Sequence, residues 1–208
     1  MSQPLRVSAD AVRRLAVVKQ ALVGAPPKAG LPSLRKVARK LSCIQIDPIS
    51  HVARTENLVM FSRLGPGFRK ELLAKATYER KELFHYFAHA ASLVLTEDYP
   101  IHNFEMRTWP RQKRSDRVER FMKDNAAMRR QILRRLRTEG PLRSRDFEIG
   151  TSNPWTSSGW TQGQTVGRML DVLWIKGIIT IVGKQGMDRV WGLADEWFPD
   201  WTPREKWP

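Results

Sequence analysis

An α+β fold, mostly helical and built from tandem winged-helix units, follows from three features of the sequence. Apolar residues recur at helical spacing over most of the chain. Short apolar runs bounded by turn residues interrupt that spacing near 42–48, 83–95 and 178–193. The order helix, helix, strand, helix, paired strands is met, in a loosely decorated form, over residues 7–95, and a second such unit begins at Asp116. A helix-turn-helix followed by a β-hairpin wing has those parts. The expected division is a first unit at 1–110 and a second at 111–208.

The first helix starts after Ser8, a good N-cap, and carries Val12, Leu15, Ala16 and Leu22 until Gly24. Ala25-Pro26-Pro27-Lys28-Ala29-Gly30 is a loop by its breakers. Ser33 caps a second helix with Leu34, Val37, Ala38 and Leu41 inward. Ser42 to Pro48 then alternates as a strand does: Ile44 and Ile46 face a core, while Cys43, Gln45 and Asp47 face the other way. Asn57–Leu64 reads as a helix that Gly65-Pro66-Gly67 ends, and Phe68–Thr77 as another. Leu83–Phe87 and Ala91–Leu95 are the first pair of strands, around Ala88-His89-Ala90.

Thr96 to Trp109 is expected to be helical, with a basic connector after Pro110. From Asp116 on, Val118, Phe121, Met122, Met128, Ile132 and Leu136 make one stripe, predicting a single long helix. Arg120, Lys123, Arg130, Arg134 and Arg137 line another arc of it. Gly140-Pro141 stops this helix, and Ser144 caps a short one. Thr151–Ser158 is a polar loop, and Thr161–Lys176 occupies the recognition-helix position, with Gln164, Arg168 and Asp171 outward. Ile178–Val182 and Arg189–Leu193 form a hairpin whose tip, Gly183-Lys184-Gln185-Gly186, is the wing.

Charge narrows the function. Lys plus Arg is 36 against 21 Asp plus Glu, a net of +15. The segment 105–145 holds 14 Lys/Arg and 5 Asp/Glu, so +9 of that excess lies in about one fifth of the chain. Such a surplus favours a polyanion as partner. A hydrophobic content of 41% is enough for packed cores and argues against global disorder. Cys43 is the only cysteine, which excludes an intrachain disulfide and fits a reducing cytoplasm. One Cys and four scattered His lack zinc-site spacing, so no metal is expected. No apolar run is long enough for a membrane-spanning helix, and Met1-Ser2-Gln3-Pro4 leads into no apolar signal region.

Gln45 and Asp47 are the chemically suggestive pair. Two residues apart on one strand face, their side-chain origins lie about 6–7 Å apart. A carboxylate can activate water or stabilise a developing cation, and a carboxamide can hold that water in place. The residues alone leave a second reading open, in which Asp47 caps the turn before Pro48 through an Asx-type bond. His89, in a small apolar setting, reads as a core histidine.

Several collinear motifs add to this. They are Gln45-Ile46-Asp47, Val52-Ala53-Arg54, Leu58 to Gly65, Glu82 to Ala90, Gly140 to Phe147, Ser158-Gly159-Trp160 and Pro199-Asp200-Trp201. In these the chain resembles the bacterial crosslink-repair DNA glycosylases of the AlkZ/YcaQ type. The resemblance implies that Gln45 and Asp47 are catalytic and that the His89 segment lies near the catalytic face. It implies a monofunctional glycosylase that removes bulky N7-alkylpurines from double-stranded DNA and unhooks interstrand crosslinks. It implies no cofactor, and relatives roughly twice as long, of which this chain looks like the N-terminal half. Arg54, Arg63, Arg120, Lys123, Arg130, Arg134, Gln164, Arg168 and Lys184 are the expected DNA contacts. A monomer in the cytoplasm, at the bacterial nucleoid, completes the expectation. The competing class is a non-catalytic tandem winged-helix regulator, which explains the charge without using Gln45 and Asp47.

Overall fold

A computed structural model describes residues 6–47, 49–110, 115–147, 165–186 and 188–205. The chain is α+β, with helices predominating and short antiparallel sheets, as the periodicities predict. It divides into two compact units. The first runs to Leu83 and also takes in Ala88–Leu95, while the second takes Phe84–Phe87 and the chain from Thr96 onward.

In the first unit, helix α1 (Ala9–Lys19) is capped by Ser8, whose hydroxyl accepts from Ala11 N at 3.2 Å. None of its residues is buried, and Val12 and Leu15 are more than half exposed. Arg63 ties down the turn after it, donating to Gln20 O at 2.9 Å and to Gln20 Oε1 at 3.2 Å. Helix α2 (Leu31–Leu41) begins before Ser33, whose hydroxyl accepts from Gly30 N at 3.0 Å. Leu34, Val37 and Ala38 bury the expected face.

Ser42 ends α2 with φ of 63°, and this left-handed step turns the chain into strand β1 (Cys43–Gln45). The strand is shorter than its alternation suggested. It pairs antiparallel with β3 (Ala91–Leu95) in the register Cys43↔Val94, Ile44↔Leu93, Gln45↔Ser92, and Ile46 N adds a bond to Ala91 O at 2.8 Å. Ile44 is 1% exposed and locks β1 onto a core with Leu34, Met60, Leu64, Leu73 and Leu93.

Helix α3 (Thr55–Leu64) contributes Met60 and Leu64, one turn apart. Gly65 then takes φ of 71°, and a β-carbon there would lie 2.9 Å from Pro26 Cβ, so the chain needs glycine at this point. The next helix, α4 (Lys70–Ala74), continues as a wider π-type turn over Lys75–Glu79 where an unbroken α-helix is predicted. Thr77 marks the change by donating its hydroxyl to Leu73 O at 2.9 Å.

In the second unit, residues Phe84–Phe87 of strand β2 (Leu83–Phe87) are held by side chains from helix α8 (Thr165–Ile175) and its neighbours. Trp174 Nε1 donates to His85 O at 2.9 Å, and Tyr86 OH donates to Ile175 O at 3.2 Å. Phe84 packs edge-on against Phe198 with ring centres 5.0 Å apart. Helix α5 (Tyr99–Thr108) sets His102 against the rings of Phe84 and Tyr86. That burial lowers the His102 imidazole from its ordinary value to about 4.

The long helix expected from Asp116 is two helices, α6 (Ser115–Asp124) and α7 (Ala126–Glu139). Asn125 separates them with φ −108° and ψ 29°, and its side-chain amide donates to Phe121 O at 3.1 Å. The stripe is buried on both sides of the break, at Val118, Phe121, Met128, Ile132 and Leu136.

Strand β4 (Leu142–Arg143) pairs antiparallel with β6 (Asp188–Leu193), which pairs with β5 (Ile179–Gln185), so the sheet order is β4–β6–β5. The hairpin strands run further toward the tip than predicted. Lys184 therefore lies in β5 opposite Arg189, and the turn falls at Gly186, with φ of 62°. Helix α9 (Ala194–Trp197) is the last helix among the described residues, and Trp197 and the following Phe198 are buried. No helix among the described residues is long and apolar enough to cross a membrane.

Candidate active site

The suggestive pair sits where β1 ends. Ile44 points into the core, which forces Cys43 and Gln45 to the opposite face, and Gln45 is exposed. Asp47 lies two residues on, half-buried, beyond the last ladder residue. Its Oδ1 accepts from Ile49 N at 2.8 Å, the Asx-type bond expected of an aspartate before proline. This bond fixes the carboxylate at the strand's end. Among the described residues Asp47 makes no other side-chain bond, which leaves Oδ2 for a water or a ligand atom.

His89 comes to the same face. The chain turns tightly there, with Ala88 N bonded to Ala90 O at 3.1 Å. The His89 ring is exposed, and its Nδ1 lies 3.9 Å from Cys43 Sγ, within reach of a weak sulfur hydrogen bond. Cys43 and Gln45 are same-face neighbours on β1, so this contact brings an imidazole beside the Gln45 edge. Gln45 and Asp47 stand at the end of β1, and the Cys43 contact places the His89 imidazole on the face that Cys43 shares with Gln45. Such a set can hold water and take up its proton. No group of His, Cys, Asp and Glu side chains suited to a metal ion occurs among the described residues.

The expected DNA contacts fall into different situations. Arg54 is paired with Glu56, Nε to Oε1 at 2.8 Å, and Glu56 is 5% exposed. Arg63 is engaged with Gln20 and also donates to Val59 O at 3.0 Å. These two guanidinium groups stabilise the first unit, whatever else they do. Gln164 lies outside the described residues. Arg168 is half-buried on α8, a helix that buries Met169, Leu170, Val172, Leu173 and Trp174. Burial is broader than the single inward face predicted, because Phe84–Phe87 occupies a second side of α8.

The break at Asn125 divides the basic arc. Arg120 and Lys123 belong to α6, whereas Arg130 and Arg134 belong to α7, where they line an open groove of about 520 Å³ with Arg137. A second groove, of about 610 Å³, lies between the end of α5, α6 and the start of α7. It includes Arg107, Arg129 and Lys176 beside Lys123. These three cations carry no periodic signal in the sequence, since they come from three different stretches of chain and only the fold collects them.

A protein-family model described as "DNA glycosylase AlkZ-like" matches residues 38–207, a span that contains Gln45, Asp47 and His89. No solved structure matches the chain.

Proposed function

The chain belongs to the AlkZ-like DNA glycosylase family, and from that premise we propose that it hydrolyses the N-glycosidic bond of bulky N7-alkylpurines and unhooks interstrand crosslinks. The observation that carries the reading is the family match across a span in which Gln45 and Asp47 lie at the end of one strand. DNA is the partner the family implies. The lesion chemistry accords with a sparse site. An N7-alkylated guanine is cationic, so it leaves as a neutral base without needing a strong general acid. The sugar left behind is oxocarbenium-like. The Asp47 carboxylate opposes that positive charge and accepts a proton as water oxygen bonds to C1′ and the C1′–N9 bond breaks. Gln45, exposed beside it, orients the water or the sugar. Neither metal nor organic cofactor is needed for this step.

The segments 1–110 and 111–208 are each proposed to form a winged-helix unit. In support, the same order of elements occurs twice. Helix α2, strand β1, helices α3 and α4, and strands β2 and β3 are echoed by α7, β4, a short turn, α8, β5 and β6. In both, the short first strand is antiparallel to the last one. The protein is proposed to act as a monomer. The test is incubation with duplexes carrying N7-methylguanine or an N7 crosslink, scored for abasic sites. Abasic sites that form with active protein and not with heat-inactivated protein support the reading. DNA that is bound and left intact points to the regulator class.

A further inference from the structure

The second unit's larger groove is built differently from a simple phosphate-binding surface. Trp109, Pro110, Val118 and Met122 give it apolar walls. Arg107, Lys123, Arg129 and Lys176 surround them, against one acid, Glu119. The side chains of Lys123 and Arg129 make no hydrogen bond or ion pair among the described residues. The Trp109 wall is anchored: Lys176 Nζ donates to Trp109 O at 2.9 Å and lies 5.9 Å from the centre of its indole ring.

We propose that this groove binds an unpaired nucleotide of DNA, its base against the apolar wall and its phosphate among the cations. This deepens the glycosylase reading and rests on it only for the identity of the polymer. The argument is one of complementarity. In duplex DNA the base faces are stacked on one another, so a protein meets phosphates, sugars and base edges. A wall of indole, proline and methionine gains little from those. An unpaired nucleotide presents an apolar face next to an anion, and that pairing matches the groove. An exclusively phosphate-directed surface has no use for Met122 and Trp109, and an apolar peptide has none for four cations around one acid. A protein that works on lesions which distort the duplex, or that join its strands, meets unpaired nucleotides beside the lesion.

The test measures binding of an undamaged fluorescein-labelled single strand and of the corresponding duplex to the full chain. Trp109→Ala should weaken single-strand binding about tenfold, the value of one stacking contact, and duplex binding less than about twofold. Lys123→Ala with Arg129→Ala should weaken both forms, since both carry phosphates, and lower the salt dependence of each. A thermal scan accompanies each variant. Should Trp109→Ala melt early, Met122→Ser, in the same apolar lining, carries the same expectation. Equal losses on both DNA forms, or no loss on either, would overturn the proposal. So would an acidic peptide that displaces the single strand as well as an oligonucleotide of equal charge does. None of these readouts requires excision, so loss of the glycosylase reading shows separately, as DNA bound and never cut.

Discussion

The candidate site turns on what one carboxylate does. Asp47 makes the Asx bond that its place before a proline suggests, and it stands on the same strand end as Gln45. The two readings of Asp47 are thus compatible in space: Oδ1 holds the turn and Oδ2 is left for chemistry. Alternation around Ile44 made the Gln45 face legible in the sequence. The Cys43–His89 contact was not, because it joins residues 46 apart through a turn that local pattern does not encode. His102 was equally silent, yet it carries a pH dependence. Its imidazole titrates near 4 in the folded protein and at about 6.5 when unfolded, because burial against Phe84 and Tyr86 disfavours the cation. A lowered folded value means that the unfolded chain takes the proton first. Its contribution is therefore complete above about pH 6.5 and is lost as pH falls toward 4. With allowance for partial exposure the loss is about 1–2 kcal/mol. His102→Gln should flatten the fall in melting temperature between pH 7 and pH 5, and an unchanged slope would assign that fall to other groups.

Elements were legible where one apolar face met one core, and less so where a second surface intervened. The stripe from Val118 to Leu136 is buried as the spacing predicts, but Asn125 occupies a position within it and is only 2% exposed. Its side-chain amide donates to Phe121 O alongside its own backbone N–H, a local side-chain bond to backbone of the kind Asn favours at helix ends. The Asp124-Asn125 pair was therefore the available signal for two helices. Helix α8 shows the opposite failure, since Trp174 is buried with its indole N–H donating to His85 O, far away in sequence. The buried faces can be tested directly. Leu170 is 0% exposed and Val118 4%, so Leu170→Asp or Val118→Asp places an unpaired charge in the core. Each should cost about 3–5 kcal/mol and abolish cooperative melting of the second unit. Arg120→Ala, on the exposed side of α6, should stay within about 0.5 kcal/mol of the parent. A normal melt for Leu170→Asp would mean the assigned face of α8 is wrong.

At the scale of the whole molecule, a net charge of +15 and a family defined by action on DNA point the same way. The charge was countable from the sequence, but its partition was not. The fold commits Arg54 and Arg63 to internal bonds and sorts other cations into two grooves of the second unit. Affinity for undamaged DNA should therefore fall steeply with salt, as counterions released on binding require. The central claim is that the Asp47 carboxylate supplies the charge that breaks the glycosidic bond. Asp47→Asn tests it cleanly, because Asn retains the Oδ1 that Ile49 N bonds and removes only the negative charge. The measurement is single-turnover excision of an N7-methylguanine duplex by the parent and by Asp47→Asn, with DNA affinity and a thermal scan recorded on the same preparations. The account predicts a rate lower by about 10²–10³-fold, with affinity and melting nearly unchanged, and a smaller loss for Gln45→Ala. Equal rates for parent and Asp47→Asn would contradict it and leave Asp47 as the cap of a turn.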